Sequence, residues 1–170
     1  MTKDYDKPHY IEVKRDDAVN DEKRKAAIES MKTLLKNQSF GVLATNAQNE
    51  SYTSLISYVT NEKSTYLAFS TPIDTRKYRM IEKDENVSLL IDNRSDNHED
   101  INEIVAITAI GKARILKDAE EKQEWSERLI AKHRYLDEFI SADTSAIILV
   151  EIIKYHYVSS FQEVVEWQPK

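Results

Sequence analysis

Apolar positions along the 170-residue chain change their spacing several times, and each change marks an element. In "NDEKRKAAIESMKTLLKN", residues 20–37, Ala27, Ile28, Met31, Leu34 and Leu35 recur at helical spacing. The segment predicts an amphipathic helix, with Asn20 or Asp21 as its cap. Three runs rich in β-branched and aromatic residues follow, "SFGVLAT", "SYTSLISYV" and "STYLAFST", separated by the turn-like "NAQNE" and "TNEK". They predict a meander of antiparallel strands. A helix from about Asp74 to Lys83 interrupts the meander, "NVSLLID" resumes it, and "IVAITAIGKARIL" predicts a longer strand. One helical region, "AEEKQEWSERLIAKHRYLDEFI", sets Trp125, Leu129, Leu136, Phe139 and Ile140 on one stripe before the last strand, "SAIILVEIIKYHYVSSF". The charged connection "NRSDNHEDINE" predicts a surface loop. Six strands with helices inserted between them, rather than alternating one for one, predict an α+β protein built on an antiparallel sheet or barrel.

The length suits one domain over residues 1–170. Thirty acidic against 24 basic side chains leave a net charge of −6, which argues against general nucleic-acid binding through phosphate neutralisation. The chain has no cysteine, so disulfides and thiolate chemistry are excluded. "MTKDYDKPHY" holds no apolar signal core, and the longest aliphatic run, "AIILV", is far below a membrane span. The expectation is a cytoplasmic protein with no membrane partner. Only Gly41 and Gly111 occur, each inside a strand pattern where a bulge, a barrel corner or close backbone approach would require one. No glycine-rich phosphate loop can be written with them.

One stretch breaks a local rule. "FSTPIDTRKYRMI", residues 69–81, opens a helix at Asp74 or Thr75 with Arg76 and Lys77 in its first turn, where the positive pole of the helix dipole disfavours cations. A bound anion would reverse that penalty. Free backbone N–H groups, the Thr75 hydroxyl, a guanidinium and an ammonium would make a phosphate cradle, with Ser70 and Thr71 adding hydroxyls from the preceding strand. The plain alternative is a short surface helix whose two cations extend into solvent. The histidines, His9, His98, His133 and His156, show no metal-ligand spacing, so no metal site is expected. His133 adjoins the apolar stripe and reads as a packed histidine with a hydrogen-bond partner. No G-x-S-x-G elbow supports hydrolysis.

The segment "YLAFSTPIDTRKYRMIEKDENVSLLID" resembles the centre of the pyridoxamine 5′-phosphate oxidase-like family of FMN-binding split β-barrels. The shared features are a strand, the small polar pair Ser70-Thr71, the basic motif Thr75-Arg76-Lys77 opening a helix, and the strand in "DENVSLL". "AITAIGKARIL" is similar to the family's G-x-A strand, and the order of elements matches from about Ser39 to Val158. The resemblance implies a six-stranded antiparallel split β-barrel with flanking helices, a homodimer with flavin at the subunit interface, and oxidoreduction of an unknown small molecule. It implies FMN phosphate on Ser70, Thr71, Thr75, Arg76 and Lys77, and the isoalloxazine ring against Thr53, Ser54, Leu55 and Ile56. Thr108 is the polar residue matching a flavin contact; Arg94 would meet the ribityl chain or pyrimidine edge, or else form a surface salt bridge. Trp125 is expected in helix core and Trp167 over the dimer interface. Pyridoxamine phosphate oxidases carry a C-terminal Arg-containing segment that grips substrate phosphate; here no Arg follows Arg134, so a different substrate is expected. No catalytic residue is named. The rival readings are a non-catalytic flavin carrier or sensor, a deazaflavin protein, or a haem-binding relative with His98 or His156 as axial ligand.

Overall fold

The computed structural model describes residues 9–10, 18–94, 103–159 and 163–170. His98 and most of the charged connection lie outside the described residues. In chain order the elements are β1 (His9–Tyr10), α1 (Ala18–Asn37), β2 (Phe40–Ala47), β3 (Glu50–Thr60), β4 (Tyr66–Pro72) and α2 (Arg76–Lys83). There follow β5 (Asn86–Asp92), β6 (Ala106–Ile115), α3 (Ala119–Lys132), α4 (Asp137–Ser141), β7 (Ser145–Ser159) and β8 (Glu163–Trp167).

The strands β7-β4-β3-β2-β5-β6 pair antiparallel in that order, and β6 pairs back onto β7, closing a six-stranded barrel. Closure removes the free sheet edges that would otherwise invite aggregation. The long β7 makes closure possible: its first half pairs with β4, its second half leaves β4 to pair with β8, and β6 follows it along the other edge. The ladder between β6 and β7 jumps from Ile110 opposite Lys154 to Gly111 opposite Ile152, a bulge that leaves Ile153 unpaired in the register. Gly111 is required there, because a Cβ would stand 2.4 Å from the Glu151 carbonyl oxygen.

Period-two alternation turns one side of each strand inward, and Leu43, Tyr58, Phe69, Leu89, Ile107 and Ile148 fill the barrel, all fully buried. The apolar stripe of α1 packs one mouth through Met31, Leu34 and Leu35, while α2 adds Ile81 to the same core. A second apolar cluster lies outside the barrel, where Trp125, Leu129 and Ile140 of α3 and α4 cover Ala68, Ile147 and Leu149. The C-terminus of α1 is held from the side: Lys132 Nζ donates to Gln38 O at 2.7 Å and lies 4.3 Å from the Tyr58 ring centre. The Tyr58 hydroxyl donates to Leu35 O at 3.0 Å. Burial alone pulls the Lys132 ammonium down to about 8, while carbonyl acceptors, an aromatic face and a helix C-terminus all favour its charged form.

Several boundaries differ from expectation. Helix α1 starts at Ala18, so Asn20 and Asp21 fall in its first turn rather than at its cap. The single helix expected over residues 119–140 is interrupted at His133, whose backbone leaves the helical region at φ −127, ψ 62. Its buried ring reaches across to the Tyr58 carbonyl, 2.8 Å from Nε2, and a three-residue 3₁₀ turn, Arg134–Leu136, links to α4. Strand β8 was not expected. Its Trp167 stacks on Tyr155 at 5.4 Å within its own chain and packs, half-buried, against the core. Trp125 is buried, as expected.

Candidate functional site

Strand β4 delivers Ser70 and Thr71 to the start of α2. Thr75 is the cap: its backbone is extended and its Oγ1 accepts from Tyr78 N at 3.4 Å. The same hydroxyl donates to Pro72 O at 2.9 Å, which uses its one proton. Thr71 Oγ1, 3.0 Å from Thr75 Oγ1, must therefore be the donor of that pair, and it accepts from Lys77 Nζ at 3.4 Å. A directed chain results, Lys77 to Thr71 to Thr75 to the Pro72 carbonyl. The threonine protons are spent internally, so the donors left for a ligand are the other Lys77 protons and the first-turn N–H groups of Arg76 and Lys77, which precede the first intrahelical bond.

The two neighbouring cations differ in setting. Lys77 is half-buried, its pKa is held below the ordinary range by burial, and among the described residues no carboxylate lies within ion-pair distance of it. Arg76 is turned away: its NH2 donates to Glu50 Oε2 at 2.6 Å, and its guanidinium lies 5.2 Å from the Tyr52 ring centre.

Lys77 lines a cavity of about 200 Å³ between the outer face of β3 and β4 and the helical segment of α3 and α4. Leu55, Ser57, Ser70 and Thr71 form its sheet wall, and Leu129, Leu136, Phe139 and Ile140 its helical wall. The Ser70 hydroxyl is buried there with no hydrogen-bond partner among the described residues. The Ser54 hydroxyl is unpaired too, but by strand alternation it lies on the Ile56 face of β3, away from the cavity. A buried hydroxyl left unpaired costs about 1–3 kcal/mol, so the Ser70 hydroxyl suits a polar ligand in the cavity that would satisfy it.

The strand alternation divides Thr53, Ser54, Leu55 and Ile56. Thr53 and Leu55 are exposed on the outer face, and Ile56 is buried in the barrel core. Leu55 is shared with a second cavity of about 180 Å³, lined also by Phe40, Val42, Leu90, Asp92 and Arg94. Arg94 forms an ion pair with Asp92 at 3.2 Å. The strand registers place Leu55, Val42, Leu90, Thr108, His156 and Glu166 in one row across the sheet. Thr108 is thus three strands away from Leu55, and His156 Nε2 lies 3.0 Å from Glu166 Oε2. Neither cavity reaches the roughly 300–1,000 Å³ of a pocket that encloses a drug-sized ligand.

Sequence reasoning did not single out Ser57, Leu136, Phe139 or Glu50. Ser57 was within reach, since it shares a strand face with Thr53 and Leu55. Leu136 and Phe139 were read only as members of an apolar stripe, and Glu50 had no local signal.

A family model described as pyridoxamine 5′-phosphate oxidase matches residues 27–159. No curated protein matches the chain. Among solved structures, General Stress Protein 26 from Bacillus anthracis is similar with a TM-score of 0.63 and 18% identity, over 82% of this chain and 96% of that one. A heme binding protein from Mycobacterium smegmatis has a TM-score of 0.73 and 15% identity, over 84% of this chain and 57% of that one. A FAD-binding protein from Mesorhizobium loti has a TM-score of 0.62 and 15% identity, over 77% of this chain and 92% of that one. At these identities the likeness shows the fold alone. The match over most of the chain, on a closed six-stranded barrel, places the protein in the pyridoxamine 5′-phosphate oxidase family.

Proposed function

We propose that the protein is a cytoplasmic, FMN-binding homodimer that oxidises or reduces a small molecule. The observation that carries this reading is Lys77: a half-buried ammonium at a helix start, beside the Ser70 hydroxyl, where among the described residues the ammonium has no carboxylate partner and the hydroxyl no hydrogen-bond partner. Such a group is stabilised by an anion, and a phosphate ester supplies one with several acceptor oxygens. Lys77, Ser70 and the first-turn N–H groups would hold the phosphate, joined by Arg76 when its guanidinium leaves Glu50, with Thr71 and Thr75 orienting the ammonium. Leu55 would meet the ring. FMN, when bound, supplies a ring that accepts a hydride or two electrons. The chain's own residues anchor it, orient it and exclude water with Leu136 and Phe139; no side chain takes the part of acid or base.

A second copy would complete the site. Phe40, Leu55 and Leu90 are 48%, 68% and 38% exposed and stand together around half-buried Val42, an apolar face continuous with both cavities. Sheet surface of this kind is normally covered. Two fold neighbours are a heme binding protein and a FAD-binding protein, so haem and other flavins are alternative outcomes of the test.

The test is the visible spectrum of the purified protein and the identity of whatever acid releases from it. A flavin band with released FMN supports the reading. A Soret band would replace it with the haem rival, for which His156 is the candidate ligand. A colourless protein that takes up no added FMN refutes it. In the binding protein, Arg76→Ala with Lys77→Ala should weaken FMN by at least about 100-fold, since charge-assisted contacts contribute roughly 1.5–3 kcal/mol each.

A further inference from the structure

Arg76 and Lys77 are adjacent in sequence, yet only Lys77 lines the cavity. Arg76 is taken by the β2–β3 hairpin. That hairpin turns through two residues with positive φ, Gln48 at 52° and Asn49 at 65°, the geometry of a tight two-residue turn between the paired Ala47 and Glu50. Glu50 is therefore held in a defined place, and its carboxylate receives the guanidinium at 2.6 Å while Tyr52, two residues on and on the same strand face, lies beneath it. The hairpin also touches α2 through Gln48 Oε1, which accepts from Lys83 Nζ at 3.5 Å, and through Thr45, whose Oγ1 is 3.5 Å from Met80 Sδ.

We propose that Glu50 sets the affinity of the cradle for phosphate by competing with it for Arg76. The inference rests on the phosphate reading above and goes beyond it, because it assigns a role to an acidic residue that touches no ligand. A phosphate at the helix start and the Glu50 carboxylate are rival anions for one guanidinium. Both partners are half-exposed or more, at 51% and 66%, so the ion pair is in the weak class. Loss of this competition should therefore tighten binding modestly, by about three- to fivefold, the equivalent of a surface pair of up to about 1 kcal/mol. Glu50 acts through Arg76, so it is a positioning residue.

The experiment measures FMN and riboflavin binding by fluorescence titration for wild type, Glu50→Gln, Glu50→Ala, Arg76→Ala and the Glu50→Gln/Arg76→Ala pair. The expected result is FMN bound about three- to fivefold more tightly by both Glu50 variants, with riboflavin, which has no phosphate, unaltered. In the Arg76→Ala background Glu50→Gln should change nothing. Unaltered or weaker FMN binding by both Glu50 variants would overturn the proposal, as would an equal gain for riboflavin. If wild type binds FMN and only these comparisons fail, the competition alone is wrong; if no variant binds FMN, the phosphate reading falls and takes this inference with it.

Discussion

Gly111→Ala tests whether closure of the barrel depends on backbone contact between β6 and β7. An alanine Cβ at this position would meet the Glu151 carbonyl oxygen at 2.4 Å, Val150 Cγ1 at 2.8 Å and the Glu151 carbonyl carbon at 3.2 Å. Val150 can rotate, but the Glu151 carbonyl belongs to the strand. Relief therefore requires β7 to move away from β6 at the bulge, where the register already skips Ile153. Overpacking of a closed core costs about 1–3 kcal/mol, and a backbone obstacle belongs at the upper end. Alanine returns roughly 0.5–1 kcal/mol by restricting the unfolded chain. The net loss is about 2 kcal/mol, and at about 2–4 °C per kcal/mol for a chain of this size the melting temperature should fall by roughly 4–8 °C. Gly41→Ala is the internal control. Its Cβ would meet Ile91 Cγ1 at 3.0 Å, a side chain that can yield, and the Leu90 carbonyl oxygen only at 3.4 Å, so a smaller loss is expected. Thermal melts and urea titrations of both variants are the assay. A Gly111→Ala melt within about 1 °C of wild type, or a larger loss for Gly41→Ala, would refute the close-approach argument.

Two further expectations concern pH and assembly. Burial holds the His133 pKa below its ordinary 6.5; the bond to the Tyr58 carbonyl opposes that shift and nearby Lys132 adds to it. As pH falls through 6.5 the unfolded chain takes up a proton that the folded chain refuses, so stability is lost from 6.5 down to the lowered folded value. Urea midpoints between those limits should decline with acid in wild type and decline less in His133→Gln; equal slopes would remove His133 as the cause. Leu90→Arg places a charge on the exposed apolar sheet face, so a dimer seen for wild type by analytical ultracentrifugation should dissociate to a species of half the mass. An unaltered dimer would put the subunit contact elsewhere.

The element types were legible in the sequence because they depend on local spacing. Period two marked the six barrel strands, and the 3.6-residue period marked α1 through Met31, Leu34 and Leu35. The helix start at Thr75 was equally legible, since a cap and its first turn lie within four residues. Gly111 was recognisable as a special position, though not as the place where β6 and β7 touch. The break at His133 was hidden, because Tyr58, the residue whose carbonyl draws its ring, is 75 positions away.

The candidate site divides in the same way. Sequence alone determined that hydroxyls and two cations cluster at one helix start, because Ser70, Thr71, Thr75, Arg76 and Lys77 fall within eight residues. Only the tertiary structure decided that Lys77 faces the cavity while Arg76 is held by Glu50, and that Leu136 and Phe139 supply the opposite wall. Short-range patterns specify backbone conformation through sterics and capping, which act over a turn or two. The partner of a charge 26 residues distant is set by how strands register and helices pack, and the chain's local spacing carries no record of it.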